Sequence, residues 1–245
     1  MIYYQTFYPE KMDGRLLDEG LARGWYRIAQ SFITTDLITN GDTLVPVFWL
    51  RIDLGRYKPS RAAKRIAAKN APYRLEIKPF AITGEIENLY QTYRASIDFW
   101  MSDSVAEYLL GNGSNNAFDS RLIELRDGER LIAVGYFDVG EKTNTGILHF
   151  YDPQYAAVSP GKYLFLAEIE YALQRGYDYY YMGYLCRGNA KFDYKLFADR
   201  RSTELFLRRR REWKPYDAME AKINRWAPRI TRAANRIYKL MPAGD

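Results

Sequence analysis

Apolar and polar positions change period repeatedly along this chain, and each change marks an element. "RLLDEGLARGW" has helical spacing broken by a glycine. "LVPVFWLRIDL", Leu44 to Leu54, is aromatic and β-branched, with Arg51 and Asp53 alternating as in a half-buried strand. Ser60 predicts the N-cap of an alanine-rich helix that runs to Asn70 and is stopped by Pro72. "YRLEIKPF" predicts a strand, and "TGEIENLYQTYRASIDFW" a helix with Ile86, Leu89, Tyr90 and Tyr93 on one face. Residues 111–120, "GNGSNNAFDS", predict a loop. "RLIELRDGERLIAVGYFDVG" predicts two strands about an Asp-Gly turn, and "GILHFYD" a third. "SPGKYLFLAEIEYALQRG" returns to helical spacing, with Ser159 as cap, Pro160 at the first position and Gly176 as stop. Its expected buried stripe is Leu164, Phe165, Ile169, Ala172 and Leu173. "YDYYYMGYL" predicts a buried strand, and the last forty residues a helical stripe of Ile223, Trp226, Ile230, Ile237 and Leu240 interrupted by Pro228.

The succession "ILHFYD", helix, "YDYYYMGY" is a strand-helix-strand unit, which implies parallel neighbours and a right-handed crossover. Antiparallel strands leading into one such crossover are the plan of the acyl-transferring GNAT fold. The expected fold is therefore α/β, an α+β mixed sheet of GNAT-like type. Residues 1–75 form a packed N-terminal α/β subdomain, 76–207 the catalytic domain and 208–245 a basic C-terminal helical extension. No internal repeat and no long linker separates them.

Composition narrows the chemistry. One histidine, His149, and one cysteine, Cys186, leave almost no material for a zinc site or a Cys/His catalytic pair, so no metal is expected. No apolar run of spanning length and no charged-then-apolar leader occurs, which makes the cytoplasm the expected compartment and a membrane partner unexpected. The net charge of +6 is mild, but its distribution is not. Between Arg208 and Lys239 lie eleven basic residues and three acidic ones, and "RYKPSRAAKR" forms a second basic cluster. A polyanionic partner fits both.

"YMGYLCRGNAKFDYK" resembles the signature of arginyl-tRNA-protein transferases and the related bacterial leucyltransferases, in which Tyr-x-Gly-Tyr is followed at fixed spacing by Met-x-Tyr-Lys. Gly183, Tyr184, Tyr194 and Lys195 fit that spacing, with Phe192 in the methionine position. Tyr151, Asp152, Pro153, Tyr155, Gly161, Lys162 and Tyr163 are similar to the family's Tyr-Asp-Pro-x-Tyr segment and helix start. "RGWYR", "YKPSRAAKRIAAKN" and "LYQTYRA" resemble further family segments, so the likeness spans residues 20–207 in order. The chain departs from the pattern in having no N-terminal cysteine cluster, with Tyr3 and Tyr4 near its place. It also has "SIDFWM" where the family carries an Arg-His pair.

The resemblance implies transfer of an amino acid from aminoacyl-tRNA to the free α-amine of a protein or peptide with an acidic N-terminus, with no cofactor. Such an enzyme must position two partners, help deprotonate the amine and stabilise an oxyanion. On this reading Asp152, Tyr194 and Lys195 are the catalytic candidates. Tyr151, Tyr155, Gly161, Lys162, Tyr184 and Lys191 are the substrate-binding ones, and Arg56, Lys58, Arg61, Lys64 and Arg65 meet tRNA. The bland alternatives are an Asp-Pro turn, solvated lysines, tyrosine packing and solvated basic faces. "SPGK" would point free helix-start amides at a phosphate, which in a GNAT enzyme belongs to coenzyme A; such versions usually carry more glycines than Gly161 alone. Two other functions stay open, a coenzyme A-dependent N-acyltransferase of small amines and a noncatalytic RNA-binding relative.

Overall fold

The computed structural model describes residues 4–40, 43–99, 101–111, 113–186 and 194–238, with the side chains of Asn40, Tyr194, Ile237 and Tyr238 outside that description. Strands β1 (Tyr4–Phe7), β2 (Tyr26–Ile28) and β3 (Ser31–Thr35) form a small antiparallel sheet in the order β1-β3-β2, with helix α1 (Gly14–Ala22) between β1 and β2 in sequence. Next come β4 (Leu37–Asn40), β5 (Thr43–Asp53), α2 (Arg61–Asn70), β6 (Arg74–Pro79), α3 (Gly84–Arg94) and α4 (Val105–Leu110). The expected meander follows as β7 (Ser120–Asp127), β8 (Arg130–Val139) and β9 (Thr143–Tyr151). Then come α5 (Pro160–Gln174), β10 (Tyr179–Cys186), β11 (Thr203–Leu207), β12 (Glu212–Pro215) and α6 (Tyr216–Tyr238).

The main sheet runs β12-β11-β5-β10-β9-β8-β7-β6, with β4 paired to β5. Every pair in it is antiparallel except β9 with β10, joined through α5. That one crossover in a mixed sheet is the GNAT-like plan the sequence predicts. β5 is not the half-buried strand its pattern suggested. It lies between β10 and β11, so both edges are paired, and both faces are covered: Leu50 and Ile52 pack in the cluster that includes α6, while Val47, Trp49 and Arg51 are buried on the other side. The Arg51 guanidinium meets Glu204 at 2.8 Å and stacks 3.6 Å from the Tyr179 ring centroid, which compensates its desolvation.

α2 and α3 start where expected, with the Ser60 and Thr83 side chains accepting from Ala63 N and Ile86 N. α5 departs from its reading at both ends. Ser159 makes no side-chain cap and sits at φ +58°, so the entry is a left-handed turn, while Leu173 is exposed and leaves the stripe to Leu164, Phe165, Ile169 and Ala172. Pro228 does not interrupt α6, which continues through it. Asn224, whose carbonyl loses its amide partner to the proline, is exposed. Tyr216, Met219, Ile223, Ala227 and Ala234 form the buried face of α6, and Ile230 lies outside it. Among the described residues no helix is long and apolar enough to cross a membrane.

One buried ion pair joins the small sheet to the large one. Arg27 of β2 and Asp138 of β8 are 2% and 0% exposed and meet at 2.7 Å. The guanidinium also donates to Ser120 Oγ, Ala29 O and Leu109 O, so every side of it is satisfied. Arg27→Met leaves the Asp138 carboxylate buried and unpaired and should destabilise the fold by about 3–5 kcal/mol in urea unfolding. Arg27→Met combined with Asp138→Leu should recover part of that loss, whereas a neutral single variant would mean that the pair anchors nothing.

Candidate active site

β9 and β10 hydrogen-bond to each other over only three pairs, Tyr179 with Thr143, Tyr180 with Asn144 and Tyr181 with Thr145. Beyond them β9 stays with β8, and β10 stays with β5 through a bulge between Tyr181 and Gly183. Gly183 takes φ +78°, a left-handed conformation that a side chain would strain, and a Cβ there would stand 3.3 Å from Lys195 Nζ. The separated strands leave a cleft of about 940 Å³. Gly146, His149 and Tyr151 line it from β9, Met182, Gly183 and Tyr184 from β10, and Gly161 and Lys162 from the start of α5. Lys195, Tyr26, Arg27, Phe99, Met101 and Tyr108 close its remaining sides.

His149 is the imidazole in this wall, a group able to accept and return a proton. Its Nε2 lies 2.7 Å from Glu168 Oε1, and Tyr180 OH donates to Glu168 Oε2 at 2.5 Å. Glu168 has no exposed surface, and Asn144 Nδ2 donates to its main-chain carbonyl at 2.8 Å. Two glycines make room for this cluster. A Cβ at Gly135 would approach His149 Cδ2 to 3.2 Å, and one at Gly146 would come within 2.5 Å of Glu168 Oε2 and 2.7 Å of Tyr180 OH. The Nε2–H bond to the carboxylate fixes the tautomer and leaves Nδ1 as the acceptor.

The phenols around the cleft are hydrogen-bond donors rather than bases. Burial pushes Tyr184 up to about 12 and raises Tyr26 and Tyr108, so all three keep their protons at neutral pH. Tyr26 OH donates to the Gly146 carbonyl and so fastens the small sheet to the cleft wall. Lys195 Nζ donates to the carbonyls of Met182 at 2.7 Å and Tyr184 at 2.9 Å, the two peptide oxygens flanking the Gly183 bulge. A cation is thereby held at the point where the strands part.

Of the residues predicted from sequence, Tyr151, Gly161, Lys162, Tyr184 and Lys195 come together in the cleft. Asp152 and Tyr155 do not line it. The Asp152 carboxylate pairs with Arg130 and accepts from Gln154 N at 2.9 Å, and Tyr155 OH donates to Asp127 at 2.8 Å. Lys191 and the Tyr194 side chain lie outside the described residues. The helix-start amides are not free as expected. Pro160 has none, and those of Lys162 and Tyr163 both return to the Ser159 carbonyl at 3.1 Å, which leaves little backbone to hold a coenzyme pyrophosphate. Arg56, Lys58, Arg61, Lys64 and Arg65 are exposed on the turn before α2 and on α2 itself. Ser60 ties that helix to the turn bearing Lys195, through Ser60 N to Ala198 O at 2.9 Å and Ser60 Oγ to Phe197 O at 2.6 Å.

Sequence reasoning passed over His149 and Glu168. Their signal was present: Glu168 falls between Leu164, Phe165, Ile169 and Ala172, a carboxylate inside the apolar stripe of α5. Such a residue needs a buried partner, and His149 on the neighbouring strand supplies it.

Overlap with solved structures is loose. The ribosomal-protein-S18-alanine N-acetyltransferase from Escherichia coli superposes with a TM-score of 0.32 at 19% identity, covering 42% of this chain and 62% of that one. Sequence relatives are more informative. Residues 85–200 match the family described as arginine-tRNA-protein transferase, C terminus. The aspartate/glutamate leucyltransferase of Stenotrophomonas maltophilia K279a is 30% identical over 176 residues, 69% of this chain and 68% of its own. That of Xanthobacter autotrophicus Py2 is 30% identical over 193 residues, 73% of this chain and 76% of its own. Likeness of that degree, extending over two thirds of both chains, places this protein in the arginyl-tRNA-protein transferase family of aminoacyltransferases.

Proposed function

We propose that this chain transfers an amino acid from aminoacyl-tRNA to the free α-amine of a protein or peptide with an acidic N-terminus, with His149 as the general base. The observation that carries the assignment is the His149–Glu168 pair on one wall of a cleft whose far wall holds Lys195. Asp152, the base suggested by motif, has its oxygens engaged by Arg130 and Gln154, so its part is to fix the turn leading into α5.

His149 Nδ1 takes a proton from the incoming amine, whose nitrogen attacks the ester carbonyl of the charged tRNA. The Lys195 ammonium and the neutral Tyr184 phenol supply positive charge and a donor to the oxyanion that develops. The C–O bond to the terminal ribose then breaks, and the imidazolium returns its proton to the departing hydroxyl. Glu168 stabilises the imidazolium between these two steps. Tyr151, Gly161 and Lys162 flank the end of the donor. Lys191 and Tyr194 keep the binding and donor roles that the family motif gives them, and Tyr155 supports the turn. The exposed cations Arg56, Lys58, Arg61, Lys64 and Arg65 stand beside the Lys195 turn, where tRNA phosphates would pass.

The reaction is tested with total tRNA charged with one labelled amino acid at a time and peptides beginning with Asp, Glu or Ala. Label should move to the Asp and Glu peptides and leave the Ala peptide unlabelled; silence with every donor would end this reading. In the same assay His149→Ala should lower kcat by about 10²–10⁴ while KM for the peptide changes little. Glu168→Gln in the His149→Ala background should add little further loss, because the two act as one unit. An unchanged kcat in folded His149→Ala protein would remove the histidine from the mechanism.

A further inference from the structure

Helix α6 carries Lys222, Arg225, Arg229, Arg232 and Arg236, spaced alternately three and four residues apart. That spacing sets all five on one face, and they extend along about 21 Å of helix at 1.5 Å per residue. All five are exposed, and none has an acidic partner among the described residues. Elsewhere on the surface Arg74, Arg94, Arg121, Arg126 and Arg130 each face a carboxylate. The acids of α6 itself, Asp217 and Glu220, both pair with Arg200 rather than with the stripe. Like charges three and four apart weaken a helix, and Pro228 in its middle weakens it further. A partner that needs five aligned cations accounts for their arrangement.

We propose that this stripe is a docking surface for the phosphate backbone of the tRNA that brings the donor amino acid. The inference rests on the aminoacyl-tRNA reading above and assigns a second region of the protein to the same ligand. It concerns a segment beyond residues 85–200, the part that the family match covers. Two observations favour RNA over an anionic membrane. An interfacial helix needs an apolar face free to enter lipid, but that of α6 is buried against β5, β11 and β12, and among its described large apolar side chains only Ile230, 38% exposed, lies outside it. The stripe also ends where β5 begins. Asn235 holds both Leu44 N and Leu44 O at 2.8 Å, at the start of β5, and a few residues on β5 pairs Val47 to Leu50 with Cys186 to Gly183 of the cleft wall. A polyanion lying along α6 therefore runs toward the end of the sheet where the acyl group must arrive.

The test compares the full chain with R225Q/R229Q/R232Q, a change of three exposed side chains that line no part of the cleft, and with the charge-keeping R225K/R229K/R232K. Binding of uncharged total tRNA is measured by filter retention between 50 and 200 mM KCl. The glutamine variant should bind on the order of tenfold or more weakly, with a log–log salt slope shallower by about 2–3, since each phosphate left unneutralised removes about one unit or slightly less. The lysine variant should keep the slope. Identical affinity and slope in the glutamine variant, with circular dichroism showing it folded, would overturn the proposal. So would unchanged tRNA binding accompanied by lost sedimentation with phosphatidylglycerol vesicles, which would assign the stripe to a membrane. Transfer from an aminoacylated adenosine, which has no phosphate backbone to lie along α6, should be equal in the unaltered and glutamine proteins. Should the unaltered protein use neither donor, the proposed reaction fails, while the tRNA-binding comparison still decides the stripe.

Discussion

Two neighbouring strands that stop hydrogen-bonding to one another after three residue pairs create the space in which everything else is arranged. β9 and β10 part because each has another partner to follow. β8 holds β9 to its end, and β5 holds β10 past the bulge at Gly183. The main-chain groups that separation leaves near the opening are answered by side chains: Lys195 takes two carbonyls of the bulge, and Tyr26 takes that of Gly146. Satisfying the backbone there and furnishing the cleft with a cation and a phenol are one act. β5, drawn from the first third of the chain, is indispensable to this arrangement although the family match begins only at residue 85.

Glu168 shows how stability and chemistry share the same atoms. A fully buried carboxylate is costly unless its oxygens are occupied, and here His149 and Tyr180 occupy both. α5 is thereby fastened to β9 and β10 by polar contacts in the middle of an otherwise apolar interface. The glycines at 135 and 146 are part of the same provision, since a methyl at either would crowd the cluster. The histidine consequently enters the cleft with its orientation and tautomer set from behind.

Much of this was legible in the chain. Period changes located the meander, the crossover helix and the strand that follows it, and the tyrosine, glycine and lysine spacings gathered five residues that do share the cleft. What escaped was non-local or short. β2 and β3 have three and five residues, too few for a periodic signal, and α4 has six. β5 looked half-buried because Arg51 interrupts its apolar run, and only the tertiary pairing with Glu204, with Tyr179 alongside, explains a buried guanidinium. Asp152 illustrates the limit of motif reasoning: a carboxylate at the right spacing is drawn off by Arg130, which no local pattern announces.

The place of β5 also shapes the birth of the protein. Ile52 pairs with Tyr180 and Thr203, so a ribosome that has just released this aromatic, apolar strand must add well over a hundred residues before its permanent neighbours exist. At about 5–20 residues per second that is a wait of many seconds. During it the nascent chain holds a strand paired only to β4 over its first residues and unpaired beyond Pro46, of the kind that adheres to others. The cleft is consequently among the last features to form, and a truncated product released early would display the strand without the enzyme.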